Sequence, residues 1–535
     1  MHTTKRFHDL ALVTVIALGS LLLKAIFFAV TPIRNLALTS WIIDDTYIIM
    51  NISRNIAIGK GFSYDWIHST SGAPPFWTYL MSINHMIFPK MMAIKMTFIE
   101  SGFFGMLAAV TIFLIAKKVT DDRRIAWTAF LLSLFSGNAF FEAVNGMDTS
   151  LFTFLVIVSV ATFVGVGRPK NWSAFRWGGV VGACAGLAAL VRGDGIFIIG
   201  ALGAFQLLSI AMHTGPERKK HIQALSGFIL WAIILFAILI GWQVMRTGTP
   251  FLANQIGRRE LSLSLHNFSF DHFSLTHYVR IVIWNVFQLE KLVNVATASS
   301  ALAFVGILFG FAKKELRPLA SITTLYIVSF FGMLIAYQWY FPDLHGLRYI
   351  NPGVHLLFIF VAALLWSLPF ASAKLTKIAA VLATVYLLIL SWVSFRDLVN
   401  NIAWTKGMSF TGQLTEQELT DGWQGIDWIK ANLPADAIIG VRDHGLVALF
   451  SERPIQDIAG NIDPNVPYHV RQGGLAEYLQ SRNVSYLLIP TLEQRKDALY
   501  KTLHTTLPLS KVAGAPPSRN ATLYHIDWDK LTPAK

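Results

Sequence analysis

Cysteine and charge are both scarce in this chain of 535 residues. A single cysteine, Cys184, excludes an intramolecular disulfide and any cysteine-based metal site. Charged residues make up 14% of the chain, against about 25% in an ordinary globular domain. The sequence also lacks a nucleotide-binding glycine loop, an internal repeat and a low-complexity tract. Apolar side chains fill it instead, at 54% of residues, and the mean hydropathy is +0.51. A soluble core of this size would split into domains with polar surfaces. Together these scarcities exclude a soluble enzyme, a disordered chain and a disulfide scaffold. They leave a polytopic membrane protein.

A bilayer core of about 30 Å needs roughly 17–25 apolar residues per helix. Such windows fall near 10–31, 96–116, 125–141, 149–167, 177–191, 195–212, 224–245, 293–312, 318–337, 350–369 and 378–395, eleven spans in all. Basic residues cluster in every second gap: Lys5 and Arg6; Lys117, Lys118, Arg123 and Arg124; Arg168, Lys170 and Arg176; Arg218, Lys219 and Lys220; Lys313, Lys314 and Arg317; Lys374 and Lys377. Lysine and arginine mark cytoplasmic loops, so the N-terminus is expected in the cytoplasm and the chain beyond about 397 outside. No small-residue cleavage site follows the first apolar run, which reads as an uncleaved span. The net charge of +13 would suggest a nucleic-acid partner. Its excess lies almost wholly in these cytoplasmic strips, which removes that reading.

The expected organisation is a transmembrane domain over 1–401, with large outer loops at 32–95 and 246–292, followed by an extracytoplasmic domain over 402–535. In that last domain Trp423–Leu433 reads as an amphipathic helix stopped by Pro434. Strands are expected at Ala437–Val441, around Pro454–Ile458, at Ser485–Ile489 and at Ala521–Trp528. Helices are expected after the Arg442–Gly445 turn, at Gly474–Arg482 and at Glu493–Tyr500. Helices alternating with strands indicate a small α/β domain.

Ionisable groups at apolar spans are costly and point to function. Here they all fall on the outer side. Asp44 and Asp45 open the first loop; Glu142, Asn145 and Asp148 cap two spans; Arg192 and Asp194 occupy a turn between two others; His345, Arg348 and Tyr349 precede the tenth. Each has a plainer reading. Adjacent aspartates are commonly a solvated turn or a helix cap. Arg192 and Asp194 would make a structural ion pair, and His345 and Arg348 suit a membrane interface. Lys24, inside the first span, is expected to extend its amine to a surface rather than bind phosphate.

Carboxylates and cations on an outer face suit transfer of a sugar from a lipid-linked phosphate. Glycosidases need an acid because a sugar alkoxide leaves poorly. A polyprenyl phosphate leaves as a stable anion and needs cations, with one aspartate as base towards the acceptor hydroxyl. Nucleotide sugars are absent outside the cytoplasm, so a lipid carrier is the natural donor.

The strings Asp44-Asp45-Thr46-Tyr47-Ile48, Asn55-Ile56-Ala57, Gly59-Lys60-Gly61-Phe62 and Ser71-Gly72-Ala73-Pro74-Pro75-Phe76-Trp77 resemble the first periplasmic loop of GT-C fold glycosyltransferases. Within that superfamily the chain is similar to polyprenyl-phosphate-sugar transferases that include the mycobacterial terminal arabinofuranosyltransferases. Gly146-Met147-Asp148-Thr149 is similar to their Gly-Met-Glu-Thr turn, with Asp for Glu. Leu190-Val191-Arg192-Gly193-Asp194-Gly195 resembles an Arg-Pro-Asp/Glu-Gly turn, with Gly for Pro. Arg348, Tyr349 and Pro352 resemble an Arg-Tyr-Leu-x-Pro turn, and Trp428–Pro434 with Ile439–Gly445 looks like the family's exposed domain.

The resemblance implies a GT-C-like bundle of about eleven helices carrying an α/β domain, in the inner (plasma) membrane. It implies that Asp44 and Asp45 supply the catalytic carboxylate and acceptor contacts. Arg192, His345 and Arg348 would then hold the donor phosphate, with Asp148, Asp194 and Tyr349 as further substrate contacts. The donor would be a polyprenyl-phosphate monosaccharide and the acceptor a cell-envelope glycan, lipid or protein. No cofactor is expected; a divalent cation near the paired aspartates stays open, since no residues have compelling ligand spacing. No Trp-Trp-Asp motif occurs in the external domain, which argues against en bloc oligosaccharide transfer. A lipid-linked-sugar flippase is the alternative, although such transporters usually show repeated halves with mid-membrane polar groups.

Overall fold

The structure, a computed structural model, describes residues 2–37, 42–250, 297–336, 344–368, 372–401, 416–442, 445–463, 465–489, 498–517 and 521–531. A helix occupies each of the eleven expected spans. Among the described residues, six helices are long and apolar enough to cross a membrane, from His8–Val30 to Ile350–Ser367. The third span is not one rod. It breaks into Arg123–Phe135 and Gly137–Val144 at Ser136, whose backbone is extended at φ −65°, ψ 147°. The Ser391 hydroxyl takes up the Gly137 N–H at 3.0 Å, so the break leaves that donor satisfied.

The chain divides into two compact units. The first comprises Met1–Val30, Thr97–Leu239 and Ser274–Lys406, which holds most of the apolar helices. Glycines set its closest helix crossing. A Cβ on Gly178 would lie 2.0 Å from the Ala224 carbonyl oxygen, and one on Gly182 would lie 2.2 Å from that of Phe228. Backbones approach this closely in apolar bundles only where small residues repeat at helical spacing. The sixth-span helix, Ile196–Met212, follows the Gly193–Gly195 3-10 turn.

The second unit comprises Thr31–Met96, Ile240–Phe273 and Gly407–Lys535, so the outer-loop residues group with the C-terminal domain. Its sheet contains β1 (Ile438–Val441), β2 (Ile455–Asp457), β3 (Val484–Ile489), β4 (Leu509–Lys511) and β5 (Thr522–Ile526). The strand order is β2-β1-β3-β5-β4. β1 runs parallel to β2 and β3, while β5 runs antiparallel to β3 and β4. Leu479, Val484, Leu487 and Leu503 are buried where helices cover the sheet. The 402–415, Asp443–His444 and 490–497 stretches lie outside the described residues, as does most of the 246–292 loop.

The first outer loop is helical rather than irregular, with helices Asp44–Ala57 and Pro75–Ile87. Lys90 and Lys430 both reach Glu452 Oε1, at 2.8 and 3.0 Å. Burial would raise the Glu452 carboxyl, but its bonds to these lysines outweigh that and bring it down to about 2. A depressed carboxyl stabilises the fold above its unfolded pKa and stops doing so as pH falls through the folded value. Unfolding of the purified protein should therefore become easier as pH falls from about 4.5 towards 2, and Glu452→Gln should flatten that part of the profile. Parallel urea titrations of the two proteins between pH 5 and 2 measure it.

Candidate active site

Two polar constellations arise, one in each unit. In the membrane unit, the turn before the Thr149–Phe163 helix is built on Gly146 at φ +75°, a left-handed conformation that glycine adopts without strain. Asn145 locks this turn: its side-chain N–H donates to Glu142 at 3.0 Å, while its oxygen accepts from Met147 N at 2.9 Å. The turn presents Asp148, whose side chain is 0% exposed.

Arg192 ends the Ala174–Val191 helix and lies over the Phe152 ring at 5.7 Å. Its Nη1 donates to both Asp148 oxygens at 3.1 and 3.0 Å. Its Nε and Nη2 donate to Asp194 Oδ2 at 3.2 and 3.0 Å. One guanidinium thus bridges two carboxylates from different turns, with its own side chain only 10% exposed. Arg348 is also buried, and its charge acts on Glu142 and Asp148. Of the expected site residues, Asp148, Arg192, Asp194 and Arg348 share this cluster. His345 and Tyr349 lie on the Leu344–Ser367 helix, but their side chains are outside the described residues.

Lys24 does not extend to a surface. It is buried, with its amine 5.5 Å from the Phe140 ring centroid. A lone lysine within a predicted span gives no sequence signal of which way it turns.

In the second unit, Asp44 and Asp45 form the first turn of the Asp44–Ala57 helix. Asp44 has a definite structural task. Its Oδ2 accepts from Gly445 N at 2.8 Å and its Oδ1 from Leu446 N at 3.1 Å, the opening amides of the Gly445–Ser451 helix. Those orphan donors are satisfied by a carboxylate some four hundred residues away in sequence. The same bonds hold the carboxylate in one orientation. Tyr64 lies nearby and is buried; burial first, then the charges of Asp44 and Asp457, raise its hydroxyl above the usual tyrosine range. Among the described residues, no group of three or more His, Cys, Asp or Glu side chains is placed to hold a metal ion.

Gly445 allows this approach because it has no side chain. A Cβ would lie 2.2 Å from the Asp44 carbonyl oxygen and 2.9 Å from Ile48 N, both backbone atoms. Gly445→Ala should therefore cost about 1–3 kcal/mol by overpacking, read as a lower unfolding midpoint of the purified protein.

A structure of ArnT from Cupriavidus metallidurans in the apo state matches with a TM-score of 0.57 at 13% identity, covering 98% of this chain and 98% of that one. The fold is GT-C-like. The same protein bound to undecaprenyl phosphate matches with a TM-score of 0.55 at 14% identity, over 96% of this chain and 97% of that one. Arabinofuranosyltransferase AftD from Mycobacteria matches at 0.45 and 15% identity, over 96% of this chain but 40% of AftD. A family model described as a domain of unknown function, DUF8728, matches residues 409–530. A comparison with curated proteins finds no match. The GT-C-like bundle, with its apolar helices, makes this a multipass membrane protein.

Proposed function

We propose that the chain is an integral membrane glycosyltransferase that moves a single sugar from a polyprenyl-phosphate donor to a cell-envelope glycan, lipid or protein on the outer face of the membrane. The observation that carries this reading is the buried cluster of Asp148, Arg192, Asp194 and Arg348. Burying charge beside apolar helices is expensive, and the expense is reasonable where a charged substrate group must be met. The shared fold supports the donor class, since ArnT has been solved with undecaprenyl phosphate bound.

In the proposed reaction, the acceptor oxygen attacks the anomeric carbon while the bond from that carbon to the phosphate oxygen breaks. The electron pair leaves with polyprenyl phosphate, and the acceptor proton passes to an aspartate of the Asp44–Asp45 pair. Attack opposite the leaving group inverts the anomeric centre. Arg348, with His345, would meet the phosphate. Arg192 already commits its donors to two carboxylates; its proposed part is to hold Asp148 and Asp194 in place as substrate contacts. Topology follows the basic strips, with the N-terminus cytoplasmic and the C-terminal domain extracytoplasmic.

Native mass spectrometry of the purified protein with added undecaprenyl phosphate tests the donor site. The wild type should retain one lipid phosphate. Arg348→Ala should weaken retention about tenfold or more, the worth of one charge-assisted hydrogen bond. Equal retention by the two proteins would contradict the assignment.

A further inference from the structure

The second unit contains a cavity of about 610 Å³ that the reaction above does not use. It is lined by the first outer loop (Tyr64, Asp65, His68), by Arg246 and by the C-terminal domain (Asp457, Asp463, Tyr468, Arg482). Small-molecule sites run from roughly 300 to 1,000 Å³, so the space suits an organic ligand rather than an ion.

Its floor is built and buried. Asp457 gathers four backbone amides: Ala459 N at 2.7 Å and Gly460 N at 3.1 Å on one oxygen, Ile462 N at 2.6 Å and Asp463 N at 3.2 Å on the other. Asp463 Oδ2 accepts from Gln456 at 2.8 Å and from the Tyr478 hydroxyl. Arg482 donates to the Gln456 oxygen at 3.0 Å and to Asp65 at 3.3 Å. Such a saturated network holds its shape before a ligand arrives.

Tyr468 lines the wall and is backed by further rings. The His469 ring stacks on Tyr478 at 4.3 Å and 15°, and the Tyr468 ring meets His469 edge-on at 5.5 Å. Tyr468 lines the cavity and is 48% exposed. His68 is fixed through Nδ1, which lies 2.6 Å from Asp65 Oδ2. That contact leaves Nε2 as the ring's other polar atom, on a side chain 44% exposed.

The charges choose the ligand class. Asp65, Asp457 and Asp463 outnumber Arg246 and Arg482 among the lining residues. Arg482 is committed to the floor, and Arg246 donates to the Tyr79 hydroxyl at 3.2 Å. A phosphate or other anion entering here would meet three carboxylates. A neutral polyhydroxyl compound would find the exposed His68 ring for a hydroxyl and the Tyr468 ring for its C–H surface.

We infer that this cavity is a carbohydrate site that seats a neutral sugar residue, with Tyr468 against the ring face and His68 Nε2 hydrogen-bonded to a hydroxyl. Calling that sugar the acceptor glycan rests on the transferase reading; the sugar site itself does not. Tyr64, which lines the cavity and lies within the electrostatic reach of Asp44, places the site beside the proposed base.

The test is binding of the full chain, in detergent micelles, to an array of neutral, amino-substituted and phosphorylated oligosaccharides, with inorganic phosphate as a soluble competitor. Neutral glycans should be retained, phosphate should not compete, and affinity should fall tenfold or more in Tyr468→Ala and His68→Ala. Tyr468→Trp should restore binding, which separates ring stacking from a folding defect; equal melting temperatures check the same point. Retention of phosphorylated glycans alone, retention of no glycan, or unchanged affinity in both alanine variants would each overturn the site. Glycan binding without turnover of any polyprenyl-phosphate sugar would sink the transferase and leave this site standing. Turnover with no glycan binding would do the reverse.

Discussion

Arg192→Ala is expected to destabilise the membrane unit by about 3–5 kcal/mol, the penalty for removing one partner from a buried ion pair. The guanidinium donates to both oxygens of Asp148, whose side chain is 0% exposed. Its loss also removes two bonds to Asp194, itself 18% exposed. Lysine cannot stand in. It offers a point charge where the observed geometry uses Nε, Nη1 and Nη2 in a planar fork. The combined variant Arg192→Leu with Asp148→Leu should be milder than Arg192→Ala, because apolar replacement of a whole pair is often near neutral. Unfolding of the detergent-purified proteins in SDS, followed by circular dichroism, ranks the three. A loss below about 1 kcal/mol for Arg192→Ala, the range of an exposed pair, would mean that water reaches Asp148 and that the cluster is not the buried strut described.

Asp45→Asn and Asp44→Asn should each lower sugar transfer by on the order of 10²–10⁴, the usual worth of a positioned acid–base group. The Asp44 position also carries a stability effect. Asp44 caps the Gly445–Ser451 helix through both oxygens, so Asp44→Ala should also cost about 0.5–2 kcal/mol as a lost cap. Steady-state transfer rates and unfolding midpoints, measured on the same preparations, separate the two effects. Full activity in both asparagine variants would remove the pair from the chemistry.

The helices were legible because lipid demands a blunt signal, about twenty apolar residues in a row. The same bluntness hid the break at Ser136, since a serine and a glycine barely dent an apolar window. In the C-terminal domain, strands β1, β2, β3 and β5 follow the alternation of apolar runs and turns. The three-residue β4 and the Asn465–Gln472 helix had no comparable pattern and were missed.

Candidate residues were readable where chemistry clusters locally. Arg192 and Asp194 sit two apart, and the ion-pair reading follows from that spacing. Long-range partners were not readable. Nothing in the sequence joins Asp44 to Gly445, or Asp65 to Arg482. These pairs are selected by tertiary packing, which brings a helix start or a guanidinium to a carboxylate hundreds of positions away.

The central claim is a transfer reaction fed by a lipid-linked phosphate sugar. Its most direct measurement incubates the purified wild-type chain in nanodiscs with labelled undecaprenyl-phosphate sugars and a cell-envelope extract, and follows release of undecaprenyl phosphate. Enzyme-dependent release coupled to label in an acceptor is expected, with both lost in Asp45→Asn. Intact donor with every sugar supplied, or release equal in wild type and Asp45→Asn, would contradict it.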